Sequence, residues 1–555
     1  MQFTYKIIVF LLSVLSVAIN VSGQTLKKMT PQVYSEWNKI KNIKLSDSAS
    51  AVIYLLERET GDKNLCIYQK EADTTYSFGR VNKAEVDISG QFVVFSRSLS
   101  YDSTRTLKRN KTSKDKMPLD SLCIFNISTQ SLHTIDAVSD FTMPAKYGGY
   151  VFYTKKLELI PSDSTKNEKK EKEICDPTAL IVRNLAASSE DTIRNAKDYV
   201  LAEEYPFLAY TQCSGDSLAR YGVYTFDLIK DSVQLILSDM QQITQLSLEK
   251  KGRHLAFLGL KEKSAAVQKP YDLYLKSVQD SLAVNITGID SIYKPAQWVT
   301  SGDRKITFSE SGNRLFFGIS PIRPVKDTTR LDDEIVNVEI WHHDSPRLYT
   351  QMETTLENDK KKSYAVMYDM TKKTFDVLET PDADRSILSM KGDGRYFLQL
   401  KTLPYQKAVT WNGDLLKDLI LFDTETRTST QITTAESGNP VFSPTGRYIY
   451  WFSAPDSIWK TFDTQKSNIS ILGLWSVTKF HDEQNDVPDH ADPYGIAGWL
   501  KDDEAVIVYD RYDLWKLFPG DPFTNEVLTN GRETNTVHRW LDTDEENDYI
   551  DPDQK

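Results

Sequence analysis

FSPTGRYIYWFSAPDSIWKTFDTQKSNISIL, residues 442–472, contains two phrases that recur through the chain. The first is a polar turn closed by Gly446, followed by the alternating run Tyr448–Ser453. A glycine there takes φ > 0 at no steric cost, as a tight hairpin requires. The second phrase, from Ser457, reads as strand, polar turn and strand, with apolar residues alternating on both sides of Asp463–Asn468.

Both phrases return. The turn-and-strand anchor appears as ISGQFVVFSRS (88–98), LEKKGRHLAFLGL (248–260), FSESGNRLFFGIS (308–320) and MKGDGRYFLQLKT (390–402). The second phrase appears as DSLCIFNISTQSLHTI (120–135), YGVYTFDLIKDSVQLIL (221–237) and KDLILFDTETRTSTQIT (417–433). One anchor plus one phrase makes three to four strands, at a spacing of about 45–60 residues that stretches around 320–365. One such sheet cannot cover both of its faces, whereas radial stacking of neighbours can. The pattern predicts an all-β chain: a β-propeller of about seven to nine four-stranded blades with WD40-like or TolB-like repeats, complete or cut short at its C-terminus. A continuous β-solenoid has shorter repeats. The propeller is expected over 43–540, preceded by a short helical lead-in over 24–42 with Thr30 as N-cap and Pro31 at the first helical position. Residues 541–555 are expected to be an acidic tail or the start of a truncated blade.

Composition agrees with this reading. Tyrosine and phenylalanine favour half-buried pleated surfaces, and 28 Tyr and 23 Phe lean the chain towards strands. A net charge of −11 argues against a nucleic-acid partner, because phosphate binding needs a basic face. MQFTYKIIVFLLSVLSVAINVSG (1–23) reads as an export signal: Lys6, an apolar stretch over 7–21, and cleavage after Gly23. A periplasmic or secreted location follows, with no membrane span after signal removal. The four cysteines Cys66, Cys123, Cys175 and Cys213 allow three pairings, but Cys66 and Cys123 occupy equivalent strand positions. Free, buried thiols are expected. The charge-dense segments 103–120 and 162–177 are expected to be solvated surface loops.

Catalytic motifs are scarce in the sequence. A nucleophile elbow needs G-x-S-x-G between a strand and a helix. The chain's G-x-S triplets, Gly215–Ser217 and Gly318–Ser320, continue to Ala219 and Ile322 and lie in repeat strands or hairpins. No catalytic residue is assigned. No metal site or cofactor is assigned either: His342 and His343 are expected on opposite faces of a strand. The acidic loop with Asp482, Asp486, Asp489 and Asp492 lacks the glycine and alternation of a calcium loop. Asp followed by Ser or Thr, as at Asp47, Asp120, Asp191, Asp216, Asp280 and Asp456, reads as turn openings, with O-glycosylation acceptors as the alternative.

Four passages resemble the N-terminal propeller region of exported peptidases of the prolyl oligopeptidase family. They are TPQVYSEWNKI (30–40), KMPLDSLCIFN (116–126), SPIRPVKDTTRLDDEIVNVEIWHH (320–343) and FHDEQNDVPDHADPYGIAGWLKDDEAVIVYDRYDLWKL (480–517). The resemblance implies a propeller that screens access of peptide substrates to an α/β-hydrolase domain carrying a Ser-Asp-His triad. That domain has no counterpart in this sequence, and the resemblance implies that Lys555 is an interruption. A peptide substrate and a separately encoded or missing hydrolase domain are the implied partners. A self-sufficient binding module for protein or glycan is the alternative. Asp510, Arg511, Tyr512 and Asp513 are the candidate binding residues, lining a channel or facing that domain. The structural alternative is an Asp510–Arg511 ion pair at a strand end, with Trp515 buried.

Overall fold

Alternation decides the local structure. In Ala51–Arg58 the residues Ala51, Ile53 and Leu55 are buried while Val52, Tyr54 and Leu56 are only half-buried, the period-2 signature of a pleated strand. The computed structural model describes residues 33–34, 37–157, 175, 178–214, 220–264, 266–288, 294–323, 329, 331, 334, 336, 338–473, 478–544 and 546–551. Strand accounts for 47% and helix for 10%, so the chain is all-β.

Among the described residues the strands form eight antiparallel sheets, almost all consecutive meanders. Sheet 1 spans Asn38–Leu45 to Thr74–Gly79, and sheet 2 spans Val81–Val86 to Glu190–Arg194. Sheet 2 has seven strands because the long strand Ser131–Thr142 pairs on both sides, joining two blade-sized repeats. Sheets 3 to 8 begin at Ala196, Gln242, Trp298, Arg385, Val441 and Ile496. Five of these six have four strands; sheet 5 has five. Sheets 1 and 2 form one compact unit, built from the chain up to Met143 with Gly148–Leu157 and Leu180–Thr192; sheets 3 to 8 lie in a second unit.

Within each unit, successive sheets stack face to face. Sheets 1 and 2 share a core in which Ile53 and Ile67 meet Phe95 and Phe125. In the second unit Val223 of sheet 3 packs with Phe257 of sheet 4, and Leu273 of sheet 4 with Phe317 of sheet 5. Met367 of sheet 5 packs with Phe397 of sheet 6, Leu419 of sheet 6 with Trp451 of sheet 7, and Phe452 of sheet 7 with Val508 of sheet 8. This is the stacking of propeller blades, in which each sheet buries its neighbour's apolar face. Sheet 8 divides its own strand between two cores: Val506 and Val508 face sheet 7, while Ala505 and Ile507 face away and are covered by Trp540 and Ile550. The Ile550 N–H donates to the Trp499 carbonyl at 2.6 Å, so the segment expected to be an acidic tail or new blade is tied to the first strand of sheet 8.

The anchor turns carry a second kind of link. Gly90, Gly252, Gly312 and Gly446 all have φ between +72° and +78°. At Gly312 a Cβ would also sit 2.6 Å from Cγ of Glu249, one sheet back. Turn side chains bridge neighbouring sheets. Arg253 donates to the Ser311 carbonyl at 2.9 Å, and Ser311 donates through its amide and hydroxyl to Asp393, both at 2.6 Å. In the last step buried Asp503 of sheet 8 accepts from the Ser443 hydroxyl at 2.5 Å and from both the amide and hydroxyl of Thr445 in sheet 7. Asp503 has φ = +57°, which disfavours residues without a short polar side chain. Asp503→Ala removes the acceptor and strains the backbone, so a loss of about 2–4 kcal/mol is expected. Asp503→Asn keeps the shape and is expected to lose roughly half of that. Urea denaturation of the two variants reads the difference, and equal stability for wild type and Asp503→Ala contradicts the link.

Four sequence expectations need correction or placement. Cys175 and Cys213 form a disulfide with Cα atoms 6.0 Å apart, whereas Cys66 and Cys123 are free and buried as expected. The segment from Ser103 is not all loop: Tyr101–Arg109 forms a helix, α1. Ser100 caps it by accepting from the Ser103 N–H, and Asp102, Lys108 and Arg109 complement its dipole. The first strand begins at Asn38, inside the stretch expected to be a helical lead-in. The export signal, Thr30–Pro31 and nearly all of 162–177 lie outside the described residues.

Candidate binding site

The hairpin between strands Val506–Tyr509 and Leu514–Phe518 of sheet 8 is Asp510–Asp513. Aspartate side chains readily accept from the backbone two and three residues on, and both acids build the site from inside. Asp510 Oδ1 accepts the amides of Tyr512 and Asp513 at 2.7 and 2.5 Å. Its Oδ2 accepts the Thr478 hydroxyl at 2.7 Å and Arg532 Nη2 at 3.0 Å. Asp513 accepts the Thr529 hydroxyl at 2.6 Å, the Arg532 amide at 2.9 Å and the Gly531 amide. Burial of Asp510 opposes its charge, but the Asp513 amide, Thr478, the Tyr512 amide and Arg532 outweigh it and hold the carboxyl below its ordinary range.

Asp510 and Asp513 are 0% and 3% exposed, so they position the loop and do not face a ligand. The ionic partner of Asp510 is Arg532, not Arg511. Trp515 is half-buried and packs edge-on to Phe480, with ring centroids 6.2 Å apart.

The outer layer is cationic and aromatic. The Arg511 guanidinium lies 5.0 Å over the Tyr512 ring, with that of Arg532 5.3 Å from the same ring. The Arg539 guanidinium lies 4.8 Å from the Tyr509 ring and 5.9 Å from Tyr494. Glu483 and Asp510 neutralise Arg532, both at 3.0 Å. Among the described residues, Arg511 and Arg539 have no carboxylate within ion-pair distance. Two guanidinium forks held on tyrosine faces, with charge to spare, suit a carboxylate. Sequence reasoning missed Arg539 and Tyr494, which are far from the hairpin in sequence; the HRW run at 538–540 was the available clue.

Other candidates resolve differently. Ser320 is buried within strand Arg314–Pro321, as expected for a strand residue, while 215–219 lie outside the described residues. Asp482 accepts the Gln484 amide and the Tyr494 hydroxyl, at 2.9 and 3.2 Å. Among the described residues it does not converge with Asp486, Asp489 and Asp492 on a common point. His342 and His343 do not point apart. The segment before helix α2 (Tyr349–Lys360) is a turn, and their ring centroids are 4.7 Å apart.

No family model matches the sequence, and no curated protein matches it. Among solved structures, the neighbours include β-propeller domains of prolyl oligopeptidase-family peptidases, at low identity. The β-propeller domain of the Trilobed protease from Pyrococcus furiosus is 8% identical over 73% of this chain and 98% of that one, with a TM-score of 0.28. Dipeptidyl peptidase 4 of Porphyromonas gingivalis is 10% identical over 74% of this chain and 57% of its own length, with a TM-score of 0.36. A eukaryotic initiation factor is 10% identical over 78% of this chain and 88% of that one, with a TM-score of 0.37. No helix among the described residues is long and apolar enough to cross a membrane.

Proposed function

We propose that this chain is the substrate-screening propeller of a periplasmic or secreted serine peptidase of the prolyl oligopeptidase type, and that it does not cleave peptides by itself. The observation that carries the reading is the pair Arg511 and Arg539. Both are stacked on tyrosines and uncompensated among the described residues, Arg511 within the hairpin of the passage with the most specific resemblance (480–517) and Arg539 against Tyr509 beside it. They make carboxylate-bearing peptides the preferred class. Arg511 and Tyr512 touch the peptide; Asp510 and Asp513 hold the loop in place. The hydrolase that completes the chemistry is the partner. The Cys175–Cys213 disulfide supports an oxidising compartment.

A second reading, a stand-alone module for protein or glycan, is favoured by exposed Trp341 and Trp411, which line one cavity and offer flat faces for stacking. Calorimetric titration with an acidic decapeptide and its Asn/Gln counterpart, with mass spectrometry of the mixture, separates the readings. The peptidase-propeller reading predicts binding of the acidic peptide alone and no fragments. Equal or absent binding of both peptides contradicts the proposed class, and cleavage contradicts the non-catalytic role.

A further inference from the structure

The turn that leads into α2 brings two imidazoles and a carboxylate together. The His342 and His343 rings are 4.7 Å apart at 33°. His343 Nε2 lies 3.0 Å from Asp344 Oδ2, and the Asp344 amide donates to His342 Nδ1 at 3.1 Å, a contact that must open for that lone pair to meet a metal. One ligating atom from each residue lies within 4.8 Å of the others, and among the described residues no other group of three such side chains converges in this way. Tetrahedral zinc holds its ligands at about 2.0–2.2 Å, so they stand roughly 3.3 Å from one another. Rotation of exposed side chains closes the difference, and His343 is 82% exposed and Asp344 63% exposed at the side chain. The competing contact is Lys407, whose ammonium lies 3.3 Å from Asp344 Oδ1.

The donor set indicates the metal class. Two imidazole nitrogens and one carboxylate suit zinc and its d-block neighbours, whereas magnesium and calcium take oxygen ligands. Three protein ligands leave a position open, and both histidines line a cavity of about 270 Å³ together with Trp341, Arg347, Lys407 and Trp411. Arg347 is already engaged by Asp359 at 2.8 Å. Metal binding to Asp344 would release the Lys407 ammonium from its ion pair, so that the two together supply the cavity's positive charge, while Trp341 and Trp411 are 66% and 71% exposed.

We propose that His342, His343 and Asp344 bind a zinc ion whose open coordination position faces this cavity and accepts an anionic ligand that packs its apolar part between Trp341 and Trp411. The tag-free full chain, stripped with chelator, is titrated calorimetrically with zinc chloride. One zinc per chain is expected. His342→Ala and His343→Ala each weaken binding by roughly tenfold or more, and Asp344→Asn by several-fold, with unchanged circular dichroism. Copper(II) in the same site quenches tryptophan emission, and Trp341→Phe removes part of that quench without altering affinity. Absence of zinc binding by the wild type overturns the proposal. So does undiminished affinity in a chain carrying both histidine substitutions, or quenching that is indifferent to Trp341.

Discussion

Asp510→Ala is expected to destabilise the protein by about 2–4 kcal/mol, because a fully buried carboxylate that accepts four hydrogen bonds is lost. The carboxylate is the shared acceptor for the Tyr512 and Asp513 amides, the Thr478 hydroxyl and Arg532. Alanine leaves these donors without their acceptor at a fully buried position. Asp510→Asn keeps the volume but offers one acceptor oxygen and no charge, so an intermediate loss is expected. The pH dependence has a definite sign. The folded-state carboxyl is held below its ordinary value, so its contribution is complete above that value and is lost as pH falls through the folded-state value. The stability gap between wild type and Asp510→Asn is therefore expected to be full at neutral pH and to shrink below about pH 4. Urea denaturation at neutral and acid pH reads both effects. A gap that stays constant or widens in acid contradicts the charged state assigned here.

The second large effect concerns binding. If Arg511 and Arg539 grip a peptide carboxylate, replacing either by alanine is expected to weaken the acidic decapeptide by about 10- to 100-fold, the range for a lost charge-assisted fork. Lysine at either position keeps the charge but not the planar fork or the ring stacking, so a partial loss is expected. Stability is expected to change little, because Arg539 is exposed and Arg511 makes no ion pair among the described residues. Calorimetry with the wild type, both alanine variants and both lysine variants provides the series. Unchanged affinity in the double alanine variant removes the site. Raising salt is expected to weaken binding in the wild type more than in the variants, since the exposed part of the attraction is screened.

The blades were legible because their cause is local. Alternation and a turn glycine sit within a dozen residues, as in 442–454, and the same phrase returns before sheets gain a second face to bury. What escaped sequence reasoning depends on chain segments that meet only after folding. Cys175 and Cys213 are separated by 38 residues, and nothing in the spacing singles out that pair. Arg532, not the adjacent Arg511, neutralises Asp510 because the hairpin turns its acids inward and its arginine outward. Adjacent histidines point to opposite faces only on a strand. The chain instead turns after Trp341, and both rings fall on one side. Helix α1 had a readable cap in Ser100, but with Leu107 as its one aliphatic residue it shows no apolar periodicity.

The most direct test of the central claim is made on the native protein. Material precipitated from its source cells with an antibody against the propeller is treated with a fluorophosphonate probe, and the labelled polypeptide is weighed by intact mass. A labelled serine hydrolase is expected in the precipitate, either joined to this chain or bound to it. A precipitate that contains the propeller but no fluorophosphonate-labelled polypeptide contradicts the peptidase assignment and leaves the chain as a binding module.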